Sequence, residues 1–312
     1  MNLTEKLNSP WEPPKLPDEI PHGDMPGDTI SIYPDHVTKA NTLFNELRHI
    51  LAQALEQSAC GKVVLSVCGG SGAGKTGISS VLSYYLNNMG VGTYLLSGDN
   101  YPRRIPRDND QERIRVFRVA ALRGLIDEGL YNKQRMDELR KLWVAEVDSD
   151  PAKVKEYPWL DAYQKAGKRA LTQYLGTPNE TDFDEVNALI SAFKQGKEHL
   201  LIKRMGREFD DLWYDEVDMS GVNVLLLEWT HGLSEHLQGV DASILLNSTP
   251  AQTLPHRMAR GRDTKIDSPF VAMVLGIEQR KIDQQAHMAK LILSREGEIL
   301  SYAQYRALPD DD

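Results

Sequence analysis

The sequence predicts an α/β fold: a doubly wound parallel sheet, with a helical insertion capping the site formed at its strand ends. Three observations carry that expectation. Short, mostly apolar runs, rather than strictly alternating ones, recur along the chain and are separated by stretches of helical spacing. Strands covered on both faces read this way. A glycine cluster joins one such run directly to an amphipathic helix, and the stretch between Pro102 and Gly221 is dominated by helix formers and charges.

Taken in chain order, residues 1–34 carry Pro10, Pro13, Pro14, Pro17, Pro21, Pro26 and Pro34 among polar neighbours. No apolar periodicity supports a core there, so an extended surface arm is expected. Asp35–Ala59 reads as a helix, with Leu43, Phe44, Leu47, Ile50, Leu51 and Leu55 in helical spacing. Lys62–Cys68 is the first strand. After Lys75, Ile78, Val81, Leu82, Tyr85, Leu86 and Met89 form an apolar helix stripe that Gly90 ends. Val91–Ser97, Val222–Leu227, Ile244–Leu246 and Leu291–Leu293 supply four more buried strands. The expected organisation is an arm over 1–34, a first core segment over 35–101, a mostly helical cap over 102–221, and a second core segment with a lid over 222–312.

The chain has 312 residues, 41% hydrophobic and 26% charged, as in ordinary globular proteins. Apolar runs such as Val224–Leu227 fall far short of a membrane span, and the N-terminus shows no apolar signal core. Cys60 and Cys68 offer neither a disulfide framework nor a zinc site. A cytoplasmic protein with no membrane partner is expected. The net charge of −9 disfavours nucleic acid as a partner. An anionic ligand would therefore need a local, concentrated positive site. A homo-oligomer is compatible with all of this.

Gly69-Gly70-Ser71-Gly72-Ala73-Gly74-Lys75-Thr76 supplies that site: it fits G-x-x-x-x-G-K-[ST] in full, with a strand before it and a helix after. Glycines let successive backbone N–H groups turn inward onto phosphate oxygens, and the helix adds its positive end. Lys75 is expected on the β- and γ-phosphates of ATP, and the Thr76 hydroxyl on Mg²⁺. Hence the fold expectation sharpens to a P-loop nucleotide-binding domain. GTPase strings are present at Asp218–Gly221 and Thr264–Asp267, but neither follows an apolar strand as a guanine-nucleotide site would require.

Carboxylates come next. Asp99 ends the second strand and Glu228 the third, and in a parallel sheet all strand C-termini gather where the phosphates bind. Asp99 is expected to take the proton of an acceptor hydroxyl, to share in metal binding, or both; Glu228 is expected in the metal shell. A plain Asx turn at Asp99-Asn100 is the competing explanation. Arg257, Arg260 and Arg262 follow the fourth strand, and guanidinium groups suit a phosphoryl group in transfer. Arg260 is the candidate for a catalytic contact. Tyr101, Arg103 and Arg104 are expected on the acceptor side, although solvated charge would explain the two arginines equally well.

Strand–GGSGAGKT–helix, then Asp99-Asn100-Tyr101, Leu227-Glu228 and Arg257–Asp263, resembles the phosphoribulokinase/uridine kinase family of P-loop kinases. Phe183-Asp184 and Phe193–Lys197 resemble the stretch before that family's glutamate strand. The resemblance implies that the aspartate matching Asp99 activates the acceptor hydroxyl. It also implies that the glutamate matching Glu228 helps bind Mg²⁺ and that the arginines matching Arg257, Arg260 and Arg262 contact phosphate. Uridine kinases carry Asp-His-Pro for the ribose hydroxyls, where this chain reads Leu175-Gly176-Thr177-Pro178, so uridine is not the expected acceptor. Thr93–Asn100 also resembles the adenylylsulfate kinase strand ending Asp-Gly-Asp-Asn. The expectation is ATP-dependent phosphorylation of a hydroxyl on a small metabolite. An adenylylsulfate kinase-like enzyme and an ATPase or regulator that transfers nothing stand as alternatives.

Overall fold

The computed structural model describes residues 1–27, 31–208, 210–260 and 268–308, with the side chains of His256, Ala259 and Arg260 left out. Arg262 and the Thr264–Asp267 string lie outside the described residues. The chain divides into two units, Met1–Tyr101 with Asp182–Thr249 and Ile282–Asp312, and Pro102–Thr181 with Pro250–Lys281.

The elements begin with helices α1 (Leu3–Asn8) and α2 (Pro34–Gln57), strand β1 (Val63–Gly69), helix α3 (Lys75–Asn88) and strand β2 (Thr93–Ser97). Helices α4 (Pro106–Asp127), α5 (Lys133–Val144) and α6 (Leu160–Tyr174) follow, then α7 (Phe183–Lys194). Strands β3 (His199–Met205), β4 (Leu212–Asp218), β5 (Val224–Glu228) and β6 (Ala242–Leu246) come next. Helices α8 (Pro250–Arg260) and α9 (Pro269–Gln285), strands β7 (Leu291–Leu293) and β8 (Ile299–Leu300), and helix α10 (Tyr302–Arg306) complete the described chain.

In the first unit the six-stranded sheet runs β2-β5-β1-β6-β7-β8, parallel except for β8, which pairs antiparallel with β7 at the edge. The expected parallel α/β sheet is therefore present, with β1 at its centre. Successive side chains of a strand point to opposite faces. Val63, Leu65 and Val67 accordingly join a core with α2 and α3, while Val64, Leu96, Leu225 and Leu227 join a second core with α7 residues Phe183, Val186 and Phe193. Both faces are apolar, which is why these strands read as unbroken runs.

The N-terminal segment departs from a simple extended arm. Asn2 and Glu5 form a capping box that starts α1, and Leu7 is fully buried. Trp11 packs on Phe44 and Tyr85, and Arg48 ties down the carbonyls of Leu7 and Ser9. Proline removes backbone donors, but it does not prevent apolar side chains from docking.

The expected cap over 102–221 also needs correction. Its helical part ends at Thr181; residues 182–221 belong to the first unit, where β3 and β4 form an antiparallel hairpin with Met205 opposite Leu212. Residues 250–281, expected in the second core segment, fall in the other unit, where Phe270 packs on Phe117 and Val274 and Ile277 pack with Leu171. Burial of these apolar side chains outweighs their sequence proximity to the core. In that same unit Arg113 pairs with buried Glu180 at 2.6 Å and with Glu278 at 3.4 Å.

Candidate active site

The site is built at the C-terminal ends of β1, β2 and β5. After β1 the loop turns through Gly72 (φ 84°) and Gly74 (φ 86°), a left-handed conformation that L side chains strain to adopt. Gly74 thereby becomes the N-cap of α3. The first-turn amides of a helix have no intrahelical acceptor, so those of Lys75 and Thr76 are available to an anion at a positive dipole end. Lys75 Nζ donates to the carbonyls of Gly69 and Gly70, both at 3.1 Å, and to Thr230 Oγ1 at 3.3 Å. All three hydrogen-bond partners are neutral, so they hold the ammonium group in place without themselves carrying an opposing charge.

Thr76 Oγ1 donates to Glu228 Oε2 at 2.8 Å, and Ser97 Oγ donates to Glu228 Oε1 at 3.3 Å. Glu228 is buried, and its pKa is pushed up from 4.5 to about 7, chiefly by desolvation. The charge of Asp99 adds to that rise, while Lys75 and the two hydroxyls oppose it. Asp99 lies in the Gly98–Asn100 turn just past β2, exposed to solvent between two buried neighbours. The turn is seated on Trp229: a Cβ at Gly98 would come within 2.0 Å of the indole ring. That close approach requires glycine before the aspartate. The structure thus brings Gly69–Thr76, Asp99 and Glu228 together in one unit.

The remaining expected residues sit elsewhere. Tyr101, expected on the acceptor side, is wholly inside the core with Leu96, Phe183 and Trp229, and its hydroxyl has no hydrogen-bond partner among the described residues. Arg103, Arg104, Arg257 and Arg260 belong to the second unit. There Arg103 donates from Nε to the Pro178 carbonyl and Arg104 from Nη1 to Tyr174 Oη at 3.0 Å. Arg257 is buried and bonds the Pro250 carbonyl through Nη2 at 3.0 Å, and among the described residues its Nε has no hydrogen-bond partner.

Four contributors escaped the sequence reading. Thr230 holds Lys75, Ser97 holds Glu228, and Asn100 accepts from the Met205 amide at 3.1 Å through Oδ1. Asp24, in the proline-rich segment, accepts from the Ser97 amide at 2.8 Å and Asn100 Nδ2 at 3.1 Å. Ser97 and Asn100 flank Asp99 and had a local signal; Asp24 had none, because its partners lie more than seventy residues away.

Residues 61–126 match the family model described as adenylylsulphate kinase. The chain is 38% identical over 238 residues, 76% of its length, to the bifunctional alpha-galactosidase/sucrose kinase AgaSK of Mediterraneibacter gnavus. It spans 20% of that relative's length. A solved structure assigned provisionally as a fructose transport system kinase, from Silicibacter sp. TM1040, aligns with TM-score 0.45 and 16% identity, covering 78% of this chain and 94% of the other. One assigned provisionally as a uridine kinase, from Bacillus stearothermophilus, aligns with TM-score 0.36 and 14% identity, covering 79% and 98%. At scores this low neither neighbour informs the site.

Proposed function

We propose that this P-loop kinase domain, adenylylsulphate kinase-like over residues 61–126, transfers the γ-phosphoryl group of ATP to a hydroxyl of a small carbohydrate. Sucrose is the first candidate, from the name of the relative that shares 38% identity. The observation that carries the reading is the Thr76–Glu228 hydrogen bond at the foot of the glycine loop, with Asp99 exposed beside it.

In this account the loop amides and Lys75 bind the β- and γ-phosphates. Thr76 and Glu228 present hard oxygen donors 2.8 Å apart. Among the described residues no cluster of three His, Cys, Asp or Glu side chains is placed to hold a metal. That donor set fits Mg²⁺, which takes one or two protein oxygens and keeps water and substrate phosphate as its other ligands. When bound, Mg²⁺ neutralises charge on the phosphates. Asp99, exposed and close to Glu228, accepts the proton of the sugar hydroxyl as its oxygen bonds to the γ-phosphorus and the bond to the β–γ bridging oxygen breaks, releasing ADP. Burial of Glu228 and the fixed loop supply positioning and electrostatics, the main resources of phosphoryl transfer. Arg103, Arg104, Arg257, Arg260 and Arg262 are retained as candidate anion ligands on charge and sequence position. Among the described residues no helix is long and apolar enough to cross a membrane, which is compatible with an enzyme acting on a dissolved sugar.

The test is transfer of label from γ-³²P-ATP, with Mg²⁺, to sucrose, fructose, galactose, uridine or adenylylsulphate. Label on a sugar is the expected result. Label on adenylylsulphate would favour the second reading, which the family match supports. Release of inorganic phosphate alone, at a rate indifferent to every acceptor, would show an ATPase instead.

A further inference from the structure

We infer that Asp24 is a positioning residue of the phosphate site, carried into it by the proline-rich N-terminal segment. The β2 strand is at the edge of the sheet, with no partner strand beyond it among the described residues. Open edges expose backbone donors, and the segment around Asp24 covers this one. Oδ1 of Asp24 accepts from the Ser97 amide at 2.8 Å and from Asn100 Nδ2 at 3.1 Å. Oδ2 accepts from Tyr94 Oη at 2.9 Å and from Arg204 Nη1 at 2.8 Å. A carboxylate offers about four lone-pair sites, and here all four are engaged. Such a group cannot reorient without breaking several bonds at once.

Its position explains what those bonds do. Asp99 lies between Ser97 and Asn100, with Gly98 intervening, so the residue two before the candidate base and the one after it both hang from one largely buried carboxylate. Ser97 in turn donates through Oγ to Glu228 Oε1 at 3.3 Å. A continuous chain of bonds therefore runs Asp24–Ser97–Glu228–Thr76. The neighbouring Gly23 passes close enough that a Cβ there would lie 3.8 Å from Glu228 Oε1. Arg204, which neutralises Asp24, is itself fixed by Asp215 Oδ2 at 3.0 Å and by Tyr94 at 2.9 Å. The segment is thus built into the wall of the site. This inference rests on Glu228 being the metal-side carboxylate of the proposed function. Outer-shell groups of this kind typically govern about 10–100-fold of metal affinity or activity.

The experiment measures binding of the non-hydrolysable analogue AMP-PNP by calorimetry, with Mg²⁺ and with EDTA, in wild type, Asp24→Asn and Asp18→Asn, an exposed control in the same segment. Asp24→Asn is expected to bind the metal-free analogue as wild type does and to lose about 10–100-fold of the affinity gained from Mg²⁺; Asp18→Asn should match wild type. An unchanged Mg²⁺ gain, or equal losses with and without metal, overturns the positioning role. Phosphorylation of sugars is scored separately. A reduced Mg²⁺ gain without any sugar transfer would leave Asp24 in its role and remove the proposed acceptor, and the converse result would do the reverse. Hydrogen exchange on the wild type decides the matter if Asp24→Asn does not fold. The Ser97 amide should be protected like its neighbours in β2, and exchange at the rate of a free amide would overturn the docking.

Discussion

Replacing Glu228 by Gln should stabilise the metal-free protein at pH 8 and leave it unchanged at pH 4.5. In the native state the Glu228 pKa is about 7, against 4.5 in the unfolded chain. Between those values the native protein keeps a proton that the unfolded chain has released. Wild-type stability therefore declines as pH rises from 4.5 to about 7 and is level above that window. At about 1.36 kcal/mol per pH unit, the gap corresponds to about 3 kcal/mol. Gln has the same shape and never ionises, so it avoids this cost. At low pH the protonated carboxyl and the amide each present one donor edge and one acceptor oxygen to Thr76 and Ser97, so the two proteins should match there. The assay is thermal unfolding in EDTA across pH 4.5 to 8. With about 2–4 °C per kcal/mol for a domain of this class, Glu228→Gln should melt roughly 6 °C above wild type at pH 8. A melting difference that is the same at both ends of the range would refute the desolvation argument.

Lys75→Ala should weaken ATP binding severely, because each charge-assisted contact to phosphate is worth about 1.5–3 kcal/mol; unchanged affinity by calorimetry would remove Lys75 from the phosphate role. Asp99→Asn should bind Mg²⁺·ATP normally while transfer to the acceptor disappears in the labelled-phosphate assay, and retained turnover would strip Asp99 of the base role. In the second unit, Glu180→Ala removes the buried carboxylate from half-buried Arg113, whose remaining acidic partners among the described residues are Glu278 and an exposed Asp110. Breaking a pair whose carboxylate is buried costs up to about 3–5 kcal/mol, to be read as a lowered denaturation midpoint with an unchanged m-value. A midpoint equal to wild type would contradict the ion-pair assignment.

What was legible in the sequence follows the range of the interactions involved. The glycine octet is local, with loop, cap and helix start lying within eight consecutive residues, so its geometry could be read directly. The strands were legible because both faces of the sheet are buried, and Val63–Gly69 is apolar or small almost throughout. Asp99 and Glu228 could be placed by topology alone, since parallel strands share one C-terminal edge. The hairpin was missed because Leu212–Asp218 is exposed along nearly its whole length. It carries no burial rhythm, and only its pairing with His199–Met205 makes it a strand. Tyr101 was read beside Asp99 as an acceptor contact, but the ring gains more by burial against Phe183 and Trp229. Asp24 was invisible for the opposite reason to the loop: its bonds to Tyr94, Ser97, Asn100 and Arg204 all close distances that only the folded chain creates.

A crystal structure of the protein with AMP-PNP and Mg²⁺ tests the central claim most directly. The account predicts the β- and γ-phosphates on the amides between Gly70 and Thr76, the metal on the Thr76 hydroxyl with Glu228 on its near side, and the Asp99 carboxylate facing the γ-phosphate. Phosphates bound away from this loop, or a metal held without either Thr76 or Glu228, would contradict it.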